Sequence, residues 1–428
     1  MFANISEKAE GLSKSRSMTS DKGIFYGYRI VAACSVVQAI NLGGIFTFGV
    51  LFPELEREFG WSRATISGAI SFAFLMVGGG AIFMGRAGDR FGPRAVLTVA
   101  GIVFGLGYAL LFRMEAAWEL YLYLGLLVGT GLAAHDVSTL STIARWFVRR
   151  RGLMSGFVKA GGGVGQVVVP IAVAALIAGP GWRVACLLFG ITSIVVIVSA
   201  AQVLRRNPAS LGLKPDGEVP DASPNRAQQE GGSTFREAIR SRALWVLCIA
   251  KFCDLFCLFT VIVHIVPFAM DRGMEPTLAA GILSTIGGMS IIGRIVLGGA
   301  FDRIGARRSL LTCFAILTAS LVLLQFVESA WSLFLFAMIY GPAHGGFFTI
   351  TSPSVAEFFG TRAHGTIFGL VVTCGTLGAT LGPIVAGSLF DMMGSYGGAF
   401  GLLLGFSLAG LVVASALPAV AGFQKKTE

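Results

Sequence analysis

Twelve stretches of this 428-residue chain are long and apolar enough to cross a lipid bilayer as helices. The hydrocarbon core of a bilayer is about 30 Å thick and needs about 20 mainly apolar helical residues. The predicted segments, numbered 1 to 12 in chain order, are 28–52, 63–85, 94–113, 118–143, 152–178, 183–204, 241–270, 277–300, 307–328, 330–357, 364–390 and 396–420. The sequence therefore predicts an all-α membrane protein with twelve transmembrane helices.

Composition excludes a soluble protein of this length. Charged residues make up 13% of the chain and hydrophobic residues 54%, whereas soluble globular domains contain about 25% charged residues. The seven cysteines all lie in apolar segments and form no CxxC pair, so we expect neither disulfides nor a metal site. No GxSxG or HExxH motif occurs, so we expect no enzyme, no catalytic residue and no cofactor.

Positive charge is concentrated in alternate connections between the segments. One set of connections contains Arg86, Arg90, Arg94, Arg145, Arg149, Arg150, Arg151, Arg205, Arg206, Arg303, Arg307 and Arg308, and both chain termini add lysines to it. Because Lys and Arg are retained on the cytoplasmic side, we expect both termini to be cytoplasmic. A bacterial inner membrane is the expected location. The net charge of +10 then reflects orientation and attraction to anionic lipids, not nucleic-acid binding.

A single long polar connection divides the twelve segments into two groups of six. Residues 205–240 contain four prolines and are predicted to form a flexible cytoplasmic linker. The linker ends in a short amphipathic segment, Phe235–Arg240, that leads into segment 7. The predicted organisation is a tail over 1–27, a six-helix bundle over 28–204, the linker, a second bundle over 241–420 and a tail over 421–428.

The two halves repeat each other at an offset of 213 residues. The motif Asp89-Arg90-x-Gly92-x-Arg94 recurs as Asp302-Arg303-x-Gly305-x-Arg307, and Pro170 recurs as Pro383. Parallel six-helix repeats place a substrate site near the bilayer midplane and operate by alternating access. We therefore expect two bundles related by a pseudo-two-fold axis.

Four stretches resemble known transporters. GRAGDRFGPR (85–94) and GGAFDRIGARR (298–308) resemble the loop signature of the major facilitator superfamily, and WFVRRRGLMSGFVKAGGGVG (146–165) resembles the fifth-helix signature of the monocarboxylate transporter family. DKGIFYGYR (21–29) looks closer to bacterial oxalate/formate-type relatives. The resemblance implies a monomeric secondary transporter that moves a small monocarboxylate of the lactate or pyruvate class together with a proton.

The repeated loops and the fifth segment supply the predicted gating residues. Loop glycines allow a tight turn and close helix approach, and Asp89 can accept hydrogen bonds from a neighbouring helix N-terminus. Small residues in segment 5 would let it slide against a partner helix. The predicted set is Asp89, Arg90, Asp302, Arg303, Arg149, Arg150, Gly152, Gly156, Gly161 and Gly165.

Arg294, inside segment 8, is the leading candidate for substrate binding. Charged residues within transmembrane helices are rare, and each is a candidate functional residue. The family resemblance also implies a carboxylate-binding arginine in segment 8. Family members often have an acidic residue four positions earlier, where this chain has Ser290, and Phe46 stands near the place of the family's segment-1 lysine. The partner of Arg294 is either Asp254 or the substrate itself.

Segment 10 completes the predicted substrate site. Gly341 and Pro342 should break the helix and expose backbone near Tyr340 and His344; segment 4 has the symmetry-related pair His135 and Asp136. The predicted binding set is Arg294, Tyr340, His344, Ser290, Asn41, Leu42 and Phe368. Segment 11 has no lysine or arginine from 366 to 390, which favours a singly charged substrate, although Lys159 or Lys251 could supply a second cation.

Proton coupling is assigned to three candidates in segment 7 and just beyond it. His264 lies one heptad before Asp271, and a histidine with a carboxylate neighbour can hold a proton near neutral pH; alternatively, His264 is a packing histidine. Asp254 is the third candidate, but it lies at i, i+3 from Lys251, so the two charges could simply neutralise each other. Two other functions stay open: organic-anion exchange of the oxalate/formate type, and a non-transporting organic-acid sensor.

Overall fold

The computed structural model describes residues 25–217 and 232–418, which are mainly helical and contain no β-strand. The long helices of the first half are α1 (Tyr26–Phe59), α2 (Arg63–Phe91), α3 (Pro93–Leu110), α4 (Ala117–Trp146), α5 (Arg151–Ala178) and α6 (Trp182–Val203). Those of the second half are α7 (Arg242–Asp271), the continuous helix Pro276–Gln325, α10 (Ala330–Phe359), α11 (His364–Met393) and α12 (Gly397–Ser415).

The helix Pro276–Gln325 contains two membrane crossings. Its 50 residues extend about 75 Å at 1.5 Å per residue, more than twice the thickness of a bilayer core. Gly305 interrupts it with φ 76° and ψ 176°, so we call the part before Gly305 α8 and the part after it α9. Gly92, between α2 and α3, has nearly the same conformation, with φ 84° and ψ 162°. Eleven helices in the described chain are long and apolar enough to span a membrane, and they supply the twelve crossings that were predicted.

Helix packing repeats between the halves. In the first half α1 packs on α5 and α3 on α6; in the second half α7 packs on α11 and α9 on α12. Between the halves, α2 packs on α11, and α8 packs on α5. These pairings are what a pseudo-two-fold axis between two six-helix bundles requires.

One local prediction is confirmed and one was wrong. The tight turn predicted for the loop glycines lies at Gly92, which has a positive φ, whereas α2 continues through Gly85 and Gly88 to Phe91. Gly341 and Pro342 do not break α10, which runs unbroken to Phe359. In both places the small residues serve close packing: a Cβ on Gly341 would lie 2.5 Å from the Cβ of Met289 on α8.

The two described ends of the predicted linker are docked on the loops beside them. Asp216 Oδ2 accepts hydrogen bonds from the backbone N–H groups of Val148 and Arg149, both at 2.9 Å. The Ser233 N–H donates to the Phe359 carbonyl at 2.9 Å. The predicted short helix Phe235–Arg240 is confirmed. The rest of the linker, residues 218–231, and the tails 1–24 and 419–428 lie outside the described residues.

Candidate substrate site and gate

The two halves meet at the end of the molecule where the arginine-rich connections lie, which we call the arginine-rich end. Here Asp89, in the last turn of α2, caps the N-terminus of α11. Its carboxylate accepts hydrogen bonds from the N–H groups of Gly365 (3.1 Å) and Thr366 (2.8 Å) and from the Thr366 hydroxyl (2.8 Å). Arg145 on α4 pairs with the same carboxylate at 2.6 Å. This aspartate therefore joins α2 and α4 of one half to α11 of the other.

Asp302 repeats the arrangement at the pseudo-symmetric position. It accepts hydrogen bonds from the N–H groups of Gly152 (2.6 Å) and Leu153 (2.9 Å) at the N-terminus of α5. The 213-residue offset relates Arg145 to Phe358, and among the described residues Asp302 has no ion pair within 4.0 Å, although Arg151 is near enough to attract it. The candidate gate thus consists of two helix-capping carboxylates with different partners.

Of the predicted gating arginines, Arg90, Arg150 and Arg303 form no ion pair with Asp89 or Asp302 among the described residues. Arg90 lies over the Phe91 ring at 5.1 Å, and Arg303 is exposed. The backbone N–H of Arg149 donates to Asp216. The Arg150 guanidinium donates to the Tyr28 hydroxyl at 3.2 Å.

The four predicted gating glycines of α5 form two different contacts. A Cβ on Gly152 would lie 2.3 Å from the Gly298 carbonyl oxygen, and one on Gly156 would lie 2.3 Å from the Arg294 carbonyl oxygen, so both face α8 of the other half. Gly161 and Gly165 instead face Ser35 and Ala39 of α1 in their own half. Only the first pair lies between the two halves.

Deeper in the protein, charges from both halves converge on what we call the central cluster, in which all but the half-buried Asp136 are buried: Asp136, Lys159, Lys251, Asp254 and Arg294. Lys159 pairs with Asp136, whose Oδ1 also accepts a hydrogen bond from Gln38 Nε2 at 2.8 Å. Lys251 pairs with Asp254 at 3.2 Å, as their spacing predicted. Arg294 lies eleven residues before Gly305, about 16 Å along the helix axis and so near the middle of a 30 Å core.

Arg294 has no carboxylate within 4.0 Å among the described residues. Its side chain is buried, with the residue 4% exposed. One guanidinium nitrogen donates to the Lys159 carbonyl at 2.7 Å, and its Nε has no acceptor in the described chain. The sequence left two possible partners for Arg294, Asp254 and the substrate. In the structure Arg294 is not paired with Asp254.

The ring of Phe348 on α10 brings the three cations of the central cluster together. The Nζ atoms of Lys251 and Lys159 lie 5.1 and 5.6 Å from the ring centroid, and the Arg294 Cζ lies 6.0 Å away. A half-buried aromatic face attracts cations, so this ring stabilises positive charge beside it. Sequence reasoning missed Phe348, although the 213-residue offset relates it to His135, which was noticed.

Three of the other predicted binding residues lie on α8 and α10. Ser290 donates or accepts a hydrogen bond with His344 Nδ1 at 2.9 Å, and the His344 ring packs against Phe348 at 5.2 Å. The Tyr340 hydroxyl is buried and donates to the Leu258 carbonyl at 3.0 Å. His344 and Ser290 therefore border the central cluster, whereas Tyr340 is engaged with α7.

The remaining three are dispersed. Asn41 is buried and donates to the Val37 carbonyl of its own helix at 2.9 Å. Leu42 packs against Gly162 of α5, where a Cβ would lie 2.6 Å from the Leu42 Cδ1 atom. Phe368 is buried beside His364 at the arginine-rich end, with ring centroids 5.9 Å apart. His364 was also missed; its Nε2 contacts the Ser352 carbonyl oxygen at 3.0 Å.

His264 is not paired with Asp271 within the described residues. Its Nε2 lies 3.0 Å from the Pro383 carbonyl oxygen and its Nδ1 lies 3.2 Å from the Tyr396 hydroxyl. Asp271 is exposed at the end of α7. Both ring nitrogens of His264 therefore have partners on α11 and at the start of α12, which suits a packing role.

Comparisons with known proteins agree with this architecture. The chain is similar to monocarboxylate transporter 13 of Rattus norvegicus, with 28% identity over 403 residues that cover 92% of this chain and 89% of the relative. It is 29% identical to human monocarboxylate transporter 11 over 403 residues, which cover 92% of this chain and 83% of the relative.

Solved structures show the same fold. A proton:xylose symporter bound to 6-bromo-6-deoxy-D-glucose superposes with a TM-score of 0.72 at 14% identity, covering 90% of this chain and 94% of that one. A human organic anion transporter superposes with a TM-score of 0.70 at 16% identity, covering 91% and 99%. The family model of the major facilitator superfamily matches residues 34–308 and 289–427. This chain therefore belongs to the major facilitator superfamily and is an integral membrane transporter, not an enzyme.

Proposed function

We propose that this protein transports a small monocarboxylate of the lactate or pyruvate class together with a proton, by alternating access. The observation that carries the proposal is Arg294. A buried cation near the middle of a membrane costs a few kcal/mol even on insertion scales, and the acidic residues of the central cluster are paired with other cations. The planar guanidinium suits bidentate contact with a carboxylate, so the substrate supplies its missing partner.

The charge balance of the central cluster supports a substrate with one negative charge. Lys159, Lys251 and Arg294 contribute three positive charges, and Asp136 and Asp254 contribute two negative charges. One positive charge is left over, and a single carboxylate would neutralise it. The monocarboxylate transporters among the relatives are consistent with this class of substrate.

The gate supports alternating access. Asp89 and Asp302 hold helix N-termini of the opposite half, and glycine contacts bring α5 and α8 together beside them. We infer that the arginine-rich end is cytoplasmic, because Lys and Arg are retained on that side. The described state is then closed towards the cytoplasm, and opening requires both carboxylates to release their helices.

The experiment is uptake of labelled lactate, pyruvate and formate into proteoliposomes that contain the purified protein, with and without an imposed pH gradient. We expect uptake of lactate or pyruvate that an inward-directed proton gradient drives above equilibrium. Liposomes with Arg294→Ala serve as the matched control. Binding of a monocarboxylate without any transport would refute the proposal in favour of a sensor.

Organic-anion exchange is the second candidate, and the three cations around Phe348 favour it. Arg294 and one of the lysines together could hold the two carboxylates of a dianion such as oxalate. A strict requirement for anion inside the liposomes, with no response to the pH gradient, would establish exchange.

A further inference from the structure

We propose that Asp254 takes up the transported proton and that Lys251 links this step to substrate binding, because the substrate carboxylate and Asp254 compete for the same ammonium group. The inference rests on the proposed function, since it assumes that an anion binds at Arg294. It names the group that holds the proton and the physical reason why proton and anion move together.

The two ion pairs of the central cluster differ in how firmly they are held. Asp136 Oδ1 is contacted by Lys159 Nζ, by Gln38 Nε2 at 2.8 Å and by His135 Nε2 at 3.3 Å. Lys159 and the Gln38 amide both donate to this carboxylate, and the two donors stabilise its ionised form. If Lys159 moved, the Gln38 donor would remain.

Asp254 is held by a single ion pair. Its Oδ2 accepts from Lys251 at 3.2 Å, its Oδ1 has no hydrogen-bond partner in the described chain, and the residue is 1% exposed. An ionised carboxylate buried without a cation or donors costs far more than a neutral one. If Lys251 leaves, Asp254 must therefore bind a proton.

Other groups near Asp254 do not replace Lys251. Cys253 and Cys257 on its own helix, Cys313 on α9 and Tyr340 on α10 are its other titratable neighbours, and the first three are thiols. The Tyr340 hydroxyl and the Cys257 thiol already donate to the carbonyls of Leu258 and Leu403. His344 on α10 contacts Ser290 instead. Helix α12 contains no acidic or basic residue. The residue of α11 that lies against Lys251 is Gly375, which has no side chain to replace it.

Lys251 is placed to change partners. Its Nζ lies 5.1 Å from the Phe348 centroid, beside the same ring as the Arg294 guanidinium. Its only other acceptor among the described residues is the Phe347 carbonyl, at a long 3.5 Å. A carboxylate that binds Arg294 over this ring brings a full negative charge within reach of the flexible lysine stem.

The exchange balances charge and protons. When the anion arrives, the hydrogen bond from the Lys251 ammonium to Asp254 breaks and one to the substrate forms. Asp254 then binds one proton from the aqueous side to which the site is open. When the anion leaves on the other side, Lys251 returns to Asp254, and the carboxyl group releases its proton there. One proton accompanies each monocarboxylate.

The test compares two transport modes in proteoliposomes. For wild type, a gradient of one pH unit should drive lactate accumulation of about tenfold. Symport of one proton with each anion makes the lactate concentration ratio at equilibrium equal to the proton concentration ratio. Asp254→Asn should abolish this accumulation but retain lactate counterflow, which needs no net proton movement. The matched control is Asp136→Asn, which removes the half-buried partner of the other lysine and should slow uptake yet leave the accumulation driven by the pH gradient.

Lys251→Met provides an independent variant if Asp254→Asn does not fold. Without its cation Asp254 stays protonated throughout the cycle, so this variant should also retain counterflow and lose gradient-driven accumulation. Accumulation at the wild-type level in either variant would overturn the inference. Absence of both counterflow and accumulation in wild-type protein would instead refute the proposed function, so the two failures are distinguishable.

Discussion

Replacing Gly156 by alanine should open the gate at the arginine-rich end. A Cβ at this position would lie 2.3 Å from the Arg294 carbonyl oxygen, whereas ordinary contacts begin at 3.4 Å. Because the obstacle is helix backbone and not a flexible side chain, α5 and α8 must separate by roughly 1 Å, and overpacking of this kind costs about 1–3 kcal/mol. Only the state in which α5 and α8 touch bears this cost.

The expected size of the effect follows from that difference. A penalty of about 1–3 kcal/mol on one of two states changes their ratio by about 5–150-fold. Hydrogen–deuterium exchange at the N-termini of α5 and α11 reports the gate directly, because Asp302 and Asp89 accept hydrogen bonds from N–H groups there. Exchange in both segments should accelerate by a factor within that range.

Gly161→Ala is the matched control, since it adds the same methyl group to the same helix. Its Cβ would meet Ser35 of α1 in its own half, so the variant should lower thermal stability without changing exchange at the N-terminus of α11. The reasoning is refuted if Gly156→Ala leaves exchange in both segments at the wild-type level, or if Gly161→Ala accelerates them equally.

Three further predictions test the site and the gate. Arg294→Lys should weaken lactate binding by about 1–3 kcal/mol, the scale of a charge-assisted hydrogen bond, and Arg294→Ala should abolish the stabilisation by lactate in a thermal-shift assay; wild-type stabilisation of Arg294→Ala would remove this residue from the site. His264→Gln should keep gradient-driven accumulation, whereas a pH profile flattened between about pH 5 and 8 would assign the proton to His264 with Asp271. Asp89→Asn should accelerate hydrogen exchange at the gate more than Asp302→Asn does, because only Asp89 also pairs with Arg145; an equal response would mean that this ion pair adds nothing to closure.

The helices and the gate could be predicted from sequence because bilayer physics restricts both. Backbone polar groups in hydrocarbon must be satisfied internally, so long apolar runs become helices. The recurrence of Asp89-Arg90 as Asp302-Arg303 identified symmetric ends of α2 and α8, and both aspartates do cap helices of the opposite half. The break predicted in α10 failed because a proline inside a membrane helix removes one hydrogen bond without ending the helix when neighbours pack closely.

The central cluster could not be assembled from the sequence, because it depends on which helix faces turn towards each other. Lys159 and Asp136 are 23 residues apart on different helices, with no spacing rule that relates them. Lys251 and Asp254 lie on one helix, so their i, i+3 spacing predicted the pair. The sequence did not single out Phe348, because an aromatic residue in an apolar segment is ordinary. Only the three cations around its ring distinguish it from other phenylalanines.

The internal repeat explains why the two halves contribute differently to that cluster. At the 213-residue offset, Gln38 and Asn41 of α1 correspond to Lys251 and Asp254 of α7. The first half therefore has neutral amides where the second has a charged pair, and Gln38 uses its amide to hold Asp136 in place. One scaffold thus supplies a firmly held anion, Asp136, from one half of the central cluster and a weakly held one, Asp254, from the other. A protonatable carboxylate must be buried and have few donors, and of the two acidic residues in the cluster only Asp254 meets both conditions.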